Sequence, residues 1–196
     1  SVNKKPNLSR LKRRPIPQEP EPDQLGAIAR QLLHGGDPVL FCREELGWKA
    51  DPWQAEMLRW TGKRMILNIA RQSGKSTTAA ALALHRIIFW PKSLVVLVSP
   101  SLQQSFELHR KLNEHLTKLK QQPRLIEDNK RTIELDNGSR VVSLAAREDT
   151  IRGYSAVSLL IEDEASGVSD EVHEAVRPML SVSNGQLLVM STPNGY

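Results

Sequence analysis

The chain has 196 residues, which is enough for one large domain with a sizeable hydrophobic core. No apolar run approaches the roughly 18 residues that a membrane-spanning helix needs, and no signal peptide opens the sequence. We therefore expect a soluble, cytoplasmic protein without a membrane partner. Cys42 is the only cysteine, which excludes an internal disulfide and a cysteine-rich zinc site. The five histidines have no ligand spacing, so we expect them on helix surfaces.

The basic charge is concentrated at the start of the chain. The formal net charge is +5 and the pI is near 9.5, a weak indication of a polyanionic partner. Residues 1–14 contain six lysines and arginines and no acidic residue, so the remainder is close to neutral. Residues 1–23 have no apolar periodicity and become rich in proline. We expect a flexible arm that either contacts DNA or a protein partner, or is simply solvated.

Residues 24–62 predict a helical segment. The first helix spans 24–33, where apolar residues recur at helical spacing. Two more helices begin at Asp37-Pro38 and Asp51-Pro52, because each pair offers an N-cap followed by a first-turn proline.

Gln54, in the first turn of the third helix, has two interpretations. Its amide carries both a donor and an acceptor, so it can pair with N6 and N7 of an adenine and favour ATP over GTP. It also stands three positions after Asp51, which is the spacing of a capping box. The sequence alone leaves both interpretations open.

The stretch with the clearest chemistry is Arg71-Gln72-Ser73-Gly74-Lys75-Ser76-Thr77, between an apolar strand at 65–69 and a helix at 77–90. In such a loop, backbone N–H groups and the helix N-terminus face an anion, and Gly74 permits close approach. Lys75 supplies a charge to the β and γ phosphates, and the Ser76 hydroxyl ligates Mg²⁺. This predicts a Walker A loop, although Ile69 replaces the first glycine of the general pattern. The alternative is a Gly-Lys-Ser helix start without a ligand.

The alternation of strands and helices predicts the fold class. A Val-rich strand at 94–98, covered on both faces, is followed by an amphipathic helix at 99–120. Such alternation indicates a parallel sheet with right-handed crossovers. Residues 131–144 then predict an antiparallel hairpin that turns at Asn137-Gly138. For 63–196 we expect an α/β, three-layer core with a mostly parallel central sheet, helices on both faces and an added hairpin.

A second chemical landmark follows the apolar run 157–161, which ends in Glu162-Asp163-Glu164. A buried parallel strand that ends in acids places carboxylates at the carboxyl edge of the sheet, where α/β proteins bind ligands. Asp163 can hold Mg²⁺, and Glu164 can orient or deprotonate an attacking water. Acidic strand ends also serve plain solvation, but the phosphate loop upstream favours a Walker B interpretation.

The last predicted elements are a helix at 170–180 and a buried strand at 187–190. The strand leads into Ser191-Thr192-Pro193-Asn194-Gly195. Its hydroxyls and the Asn194 amide can sense a γ-phosphate, but Pro-Asn-Gly is also a common turn.

Taken together, these stretches resemble the ATPase domain of the large terminase subunit of tailed bacteriophages, a motor that packages viral DNA. The strongest point is Arg71-Gln72-Ser73-Gly74-Lys75-Ser76, because that family's phosphate loop also lacks the first glycine and carries Arg-Gln here. Asp51-Pro52-Trp53-Gln54 resembles the family's adenine motif, 159–164 its Walker B motif, and 191–195 its coupling motif. The resemblance implies a P-loop NTPase of the RecA-like (ASCE) kind, in which Mg-dependent ATP hydrolysis drives double-stranded DNA into a procapsid.

The resemblance also implies partners and a location. The partners are double-stranded DNA, the capsid's portal protein, the small terminase subunit and a homo-oligomeric ring, pentameric during packaging and monomeric in isolation. The location is the host cytoplasm, with transient docking on the procapsid portal and absence from the mature virion. The family's chains continue into a nuclease domain that these 196 residues do not reach, so nuclease activity is expected only there.

Site residues are carried over from the family motif by motif. Trp53 and Gln54 are assigned to the adenine, residues 71–77 and Asn194 to the phosphates, Ser76 and Asp163 to Mg²⁺, and Glu164 to the attacking water. In such rings an arginine of one subunit completes the neighbour's site. Arg147 and Arg152 are the candidates, and we favour Arg152 because Arg-Gly just ahead of the Walker B strand is the more family-like context. Arg71 is assigned to the γ-phosphate in cis, or to coupling of binding to movement.

Two other functions fit parts of the sequence. A superfamily 2 helicase has a similar Gln motif and Asp-Glu box. A nucleotide-regulated module would clamp DNA or a capsid protein with little turnover, although the presence of Glu164 argues against it.

Overall fold

The computed structural model describes residues 22–147 and 151–193. Nearly all of the predicted arm, and Asn194, lie outside the described residues. The helices are α1 (Pro22–Gly36), α2 (Pro38–Glu44), α3 (Pro52–Leu58), α4 (Lys75–Phe89), α5 (Leu102–Leu116), a 3₁₀ turn (Ala165–Gly167) and α6 (Asp170–Ser183). The strands are β1 (Arg64–Asn68), β2 (Leu94–Ser99), β3 (Leu125–Asp128), β4 (Thr132–Leu135), β5 (Arg140–Ala145), β6 (Leu159–Glu162) and β7 (Gln186–Ser191).

The strands form one sheet in the order β1-β7-β6-β2-β5-β4-β3. The first five strands in that order are parallel to one another. At the far edge, β4 is antiparallel to β5, and β3 is antiparallel to β4. All six residues of β2 are buried, because β5 and β6 flank it and helices cover both faces. The mostly parallel α/β sheet predicted from the sequence is thereby confirmed.

The predicted hairpin is part of the sheet's centre as well as its edge. Its second strand, β5, pairs in parallel with β2 along its whole length, from Leu94 opposite Arg140 to Ser99 opposite Ala145. Its first strand, β4, is antiparallel to β5 and carries β3 on its outer side. The sequence did not predict β3, since this four-residue strand is almost entirely exposed and has no alternating pattern.

Two apolar cores lie on opposite faces of the sheet. The larger contains α4 and α5, with α2 and α3 packed beside them, and includes Leu84, Leu97 and Leu112. The smaller lies under α6 and includes Leu160 and Val176. These layers define the three-layer arrangement. Among the described helices, none is long and apolar enough to cross a membrane.

Side-chain caps fix where several helices begin. The Asp37 carboxylate accepts the Val39 N–H at 3.0 Å, and Ser101 and Gln104 form a capping box on α5. The helix predicted at 99–120 therefore starts only at Leu102, because Ser99 still belongs to β2. The helix after the phosphate loop starts at Lys75, two residues earlier than predicted.

The prediction for the histidines was wrong. Four of them are buried, and each of these four contacts another element. His85 Nε2 contacts the His34 carbonyl oxygen at 2.7 Å, and His115 Nε2 contacts that of Thr77 at 3.0 Å. Burial lowers the pKa of His85 to about 4, so its ring is neutral at pH 7. Hydrophobic periodicity could not reveal these contacts, because it does not say which group on another element a buried ring will meet.

The turn from α6 to β7 gives a stability test. A Cβ on Gly185 would lie 2.1 Å from the Val157 carbonyl oxygen and 2.9 Å from Leu180 Cδ2. We expect Gly185→Ala to lower the free energy of unfolding by about 1–3 kcal/mol, because backbone must move to relieve the clash. Gly26→Ala is the control, since it lies in α1 with nothing within 4 Å of the added Cβ, and it should stabilise by about 0.5–1 kcal/mol. Equal unfolding midpoints in urea would contradict the packing of this turn.

Candidate nucleotide-binding site

The carboxyl ends of the parallel strands gather the predicted chemical groups at one edge. In the sheet, β7 lies between β1 and β6. The loop after β1 leads to α4, the loop after β6 carries Asp163 and Glu164, and β7 ends at Ser191. Parallel strands that are neighbours end on the same side, so these three loops meet.

The phosphate loop is held in a tight conformation. Gly74 has φ +86° and Gln72 has φ +60°, both in the left-handed region that favours glycine. The Gly74 carbonyl accepts the Thr78 N–H and the Thr78 hydroxyl, each at 2.9 Å, which anchors the loop to α4. The Ser73 hydroxyl is buried with no hydrogen-bond partner among the described residues. Such an orphaned donor fits a loop built to receive an anion.

Lys75 is the centre of a group of three side chains. It is 6% exposed, and its Nζ donates to Thr192 Oγ1 at 2.7 Å. Its Nζ also lies 3.5 Å from Glu164 Oε1, which accepts the Thr192 hydroxyl at 3.0 Å. Lys75 of the phosphate loop, Glu164 after β6 and Thr192 after β7 are therefore one connected cluster.

Ser76 and Asp163 form the second connection between the two motifs. The Ser76 hydroxyl donates to Asp163 Oδ2 at 3.1 Å, and Asp163 Oδ1 accepts the Glu164 N–H at 3.1 Å. Burial raises the pKa of Asp163, and the Ser76 hydrogen bond and the Lys75 charge oppose that rise. A nearby cation would favour the ionised carboxylate.

This donor set fits magnesium. Mg²⁺ takes oxygen ligands and is commonly held by one or two carboxylates together with substrate phosphates and waters. A hydroxyl and one carboxylate suit that pattern. Within 22–147 and 151–193, no cluster of three His, Cys, Asp or Glu could hold a metal ion by itself.

A cavity of about 570 Å³ lies over the phosphate loop. Residues 71–76 form one wall, and Glu164, Ser166 and Gly167 form another. Pro100, which follows β2, and Gln104 and Lys111 of α5 complete the lining. Sequence reasoning missed Gln104 and Lys111, because on the polar face of an amphipathic helix they are indistinguishable from solvated residues.

The Gln54 side chain forms the capping box, and its amide nitrogen also lies beside the phosphate loop. It is buried, and its Oε1 accepts the Asp51 N–H at 2.8 Å, as the capping box predicts. Its Nε2 faces the phosphate loop, since a Cβ built on Gly74 would lie 3.0 Å from it. Trp53 is half-buried against the larger core. The adenine role of both residues stays a prediction.

Of the other residues predicted for the site, Arg71 lines the cavity, whereas Thr77, Arg147 and Arg152 do not. Arg71 is exposed on the cavity wall. Thr77 lies inside the first turn of α4, outside the cavity lining. Arg147 is exposed. Arg152 lines a different cleft of about 680 Å³, together with Tyr154, Glu171 and Glu174, and the two clefts share no lining residue.

A strand, a tight loop and a helix N-terminus opposite a second strand that ends in Asp-Glu define a P-loop NTPase of the RecA-like kind. Comparison with known proteins makes this specific. Residues 66–195 match the family model "Terminase large subunit, T4likevirus-type, N-terminal". The chain belongs to the terminase large subunit family.

Individual relatives agree with this assignment. The large terminase subunit of Thermus phage G20c is 30% identical over 172 residues, which cover 78% of this chain and 35% of that protein. The ATPase domain of the Thermus phage P74-26 large terminase superposes with a TM-score of 0.65 at 27% identity, covering 79% of this chain and 69% of that one. The large terminase of bacteriophage HK97 shares the fold, with a TM-score of 0.66 at 21% identity and coverage of 80% and 37%. The chain thus spans about a third of the length of its curated relatives. The family match favours the terminase interpretation over the helicase one.

The phosphate loop gives a binding test with a matched control. Gly74→Ala places a Cβ at φ +86° and against Gln54 Nε2, so we expect the affinity for a fluorescent ATP analogue to fall at least about tenfold. Gly138→Ala imposes the same backbone strain, at φ +80°, in the turn between β4 and β5, where the nearest atom is Lys92 Cγ at 3.4 Å. It should lose about 1–2 kcal/mol of stability without losing affinity. If Gly74→Ala and Gly138→Ala bind the ATP analogue with equal affinity, this loop does not bind the nucleotide.

Proposed function

We propose that this chain hydrolyses ATP with Mg²⁺ and that the hydrolysis powers translocation of double-stranded viral DNA into a procapsid. The observation that carries the proposal is the pair of contacts between the phosphate loop and the residues after β6. Lys75 lies within 2.7–3.5 Å of Thr192 and Glu164, and Ser76 donates to Asp163 at 3.1 Å. A nucleotide-regulated module with little turnover would need Lys75 to bind phosphates but not Glu164, and the position of Glu164 at 3.5 Å from Lys75 supports hydrolysis instead.

Each residue has a role in this reaction. Lys75 places its charge on the β and γ phosphates, a contact that competes with its present bond to Thr192. Ser76 and Asp163 would hold Mg²⁺, which supplies charge neutralisation on the phosphates. Glu164 takes the proton of the attacking water, and the Thr192 hydroxyl orients its carboxylate. Backbone N–H groups of the phosphate loop bind the phosphate oxygens.

Arg152 is proposed to act on a neighbouring copy. Its cleft is separate from the phosphate cavity of its own chain, which supports a role across a subunit boundary. Arg71 lies on the wall of its own chain's cavity and is the candidate for a contact in cis. By its resemblance to the family, the proposed ring is pentameric during packaging and docks on the portal protein in the host cytoplasm. The small terminase subunit is its partner, and the mature virion does not contain it.

The role of Glu164 has a direct test. Glu164→Gln keeps the size of the side chain but cannot accept the water's proton, so turnover of ATP should fall by about 10²- to 10⁴-fold with little change in affinity. Glu56→Gln, at an exposed position of α3, is the control and should hydrolyse ATP at the normal rate. Steady-state phosphate release and equilibrium binding give the two readings. Normal turnover in Glu164→Gln would remove this residue from the mechanism.

The role of Arg152 is tested by mixing variants. Arg152→Ala should lose about 10³-fold or more in turnover, because the transferring phosphoryl group lacks its cation. Mixing it with Glu164→Gln at high protein concentration should restore phosphate release, since each variant supplies what the other lacks. Arg71→Ala mixed in the same way should stay inactive if Arg71 acts in cis. A mixture no more active than its two components would rule out the trans role of Arg152.

A further inference from the structure

Glu162 is a carboxylic acid inside the core of the sheet. It is the last residue of β6, aligned with Val98 of β2 and Val189 of β7, and it is 0% exposed. A buried carboxylate costs free energy unless a partner compensates it. The proposed hydrolysis uses the next two residues, but not this one.

Glu162 points to the opposite face from Asp163. Successive side chains of a strand alternate between faces. Ile161 packs in the core under α4, and Asp163 bonds to Ser76 at the start of α4. Leu160 packs in the core under α6, so Glu162 belongs to the α6 side.

The partner of Glu162 on that side is His173 of α6. His173 Nδ1 lies 3.0 Å from Glu162 Oε2, and the His173 side chain is 33% exposed. Among the described residues, neither Glu162 oxygen makes a hydrogen bond of ordinary geometry. The contact with His173 is therefore what compensates the buried acid.

Glu162 and His173 lie on either side of the loop that carries Asp163 and Glu164, and their contact joins its two ends. Residues 163–169 connect β6 to α6 and contain Asp163, Glu164 and the 3₁₀ turn. Glu164 has φ +52° and ψ +48°, an uncommon conformation for a residue with a side chain. The surroundings must hold a residue in that conformation. Fixing both ends of a short loop removes conformational freedom from the residues between them.

We propose that Glu162 and His173 are positioning residues for ATP hydrolysis: their buried contact fixes the loop 163–169 and so holds Glu164 against Lys75 and Thr192. Neither residue lines the phosphate cavity. The inference rests on the proposed function, because it assigns the catalytic acids to this loop. It also gives α6 a fixed connection between the phosphate cavity and the Arg152 cleft, which α6 lines with Glu171 and Glu174.

Two substitutions test the contact: one removes it, and the other changes a side chain but keeps the contact. Glu162→Met keeps an unbranched side chain and removes the buried carboxylate, and water can solvate the partly exposed His173 that remains. His173→Asn is the matched control, because the Asn side chain places an N–H donor close to the position of Nδ1. Should Glu162→Met fail to fold, Glu162→Leu takes its place.

The measurements are kcat, KM for ATP, and hydrogen–deuterium exchange over residues 163–169. We expect Glu162→Met to lose at least tenfold in kcat with KM within about threefold of the unsubstituted protein, and to exchange faster in this loop. His173→Asn should keep kcat within about threefold and exchange normally. A split of this kind distinguishes positioning from a general loss of stability.

The overturning results are equally definite. A folded Glu162→Met variant with unchanged kcat overturns the proposal, and so does an equal loss of kcat in His173→Asn. If the unsubstituted chain hydrolyses no ATP at any concentration, the proposed function fails instead. Exchange over 163–169 then decides the inference alone: it survives only if Glu162→Met, and not His173→Asn, exchanges faster there.

Discussion

Ser76 and Asp163 are 87 positions apart in the chain, yet their side chains form a hydrogen bond of 3.1 Å. This bond joins the start of α4 to the end of β6, and it exists because β7 places β1 and β6 on either side of itself in parallel. Every other contact of the site depends on the same strand order. Lys75 can meet Glu164, and Thr192 can lie between them, only where three carboxyl ends share one edge.

This edge also collects the features that oppose folding. Gln72 and Glu164 have positive φ, and Lys75, Asp163 and Glu162 are ionisable groups removed from water. Burial raises the pKa of Asp163 and of Glu162, because it disfavours their ionised forms. A cation bound at Asp163 would favour ionisation there, whereas Glu162 is faced, among the described residues, by the His173 side chain. Away from this edge, the other positive-φ residues with side chains among those described are Lys92, Ala156 and Asn184, which precede β2, β6 and β7.

Local patterns in the sequence predicted much of the fold. Apolar runs located six of the seven strands, and Asp37 and Asp51 located two helix starts, because these signals depend only on neighbours in the chain. The strand β3 was missed because exposed four-residue strands carry no periodicity. The buried histidines of α4 and α5 were misplaced because a polar ring was expected at the surface, whereas groups on other elements satisfy these rings in the interior.

The candidate site likewise has a part that the sequence predicted and a part that it did not. The sequence by itself determined the chemistry of residues 71–77 and of Asp163 and Glu164, because phosphate loops and acidic strand ends are contiguous motifs with fixed spacing. Only the tertiary structure decided which distant groups join them: Thr192 between Lys75 and Glu164, Gln104 and Lys111 on the cavity wall, and the Glu162–His173 contact. It also placed Arg152 in a separate cleft. The physical reason is that such contacts depend on the order of strands in the sheet, which differs from their order in the chain.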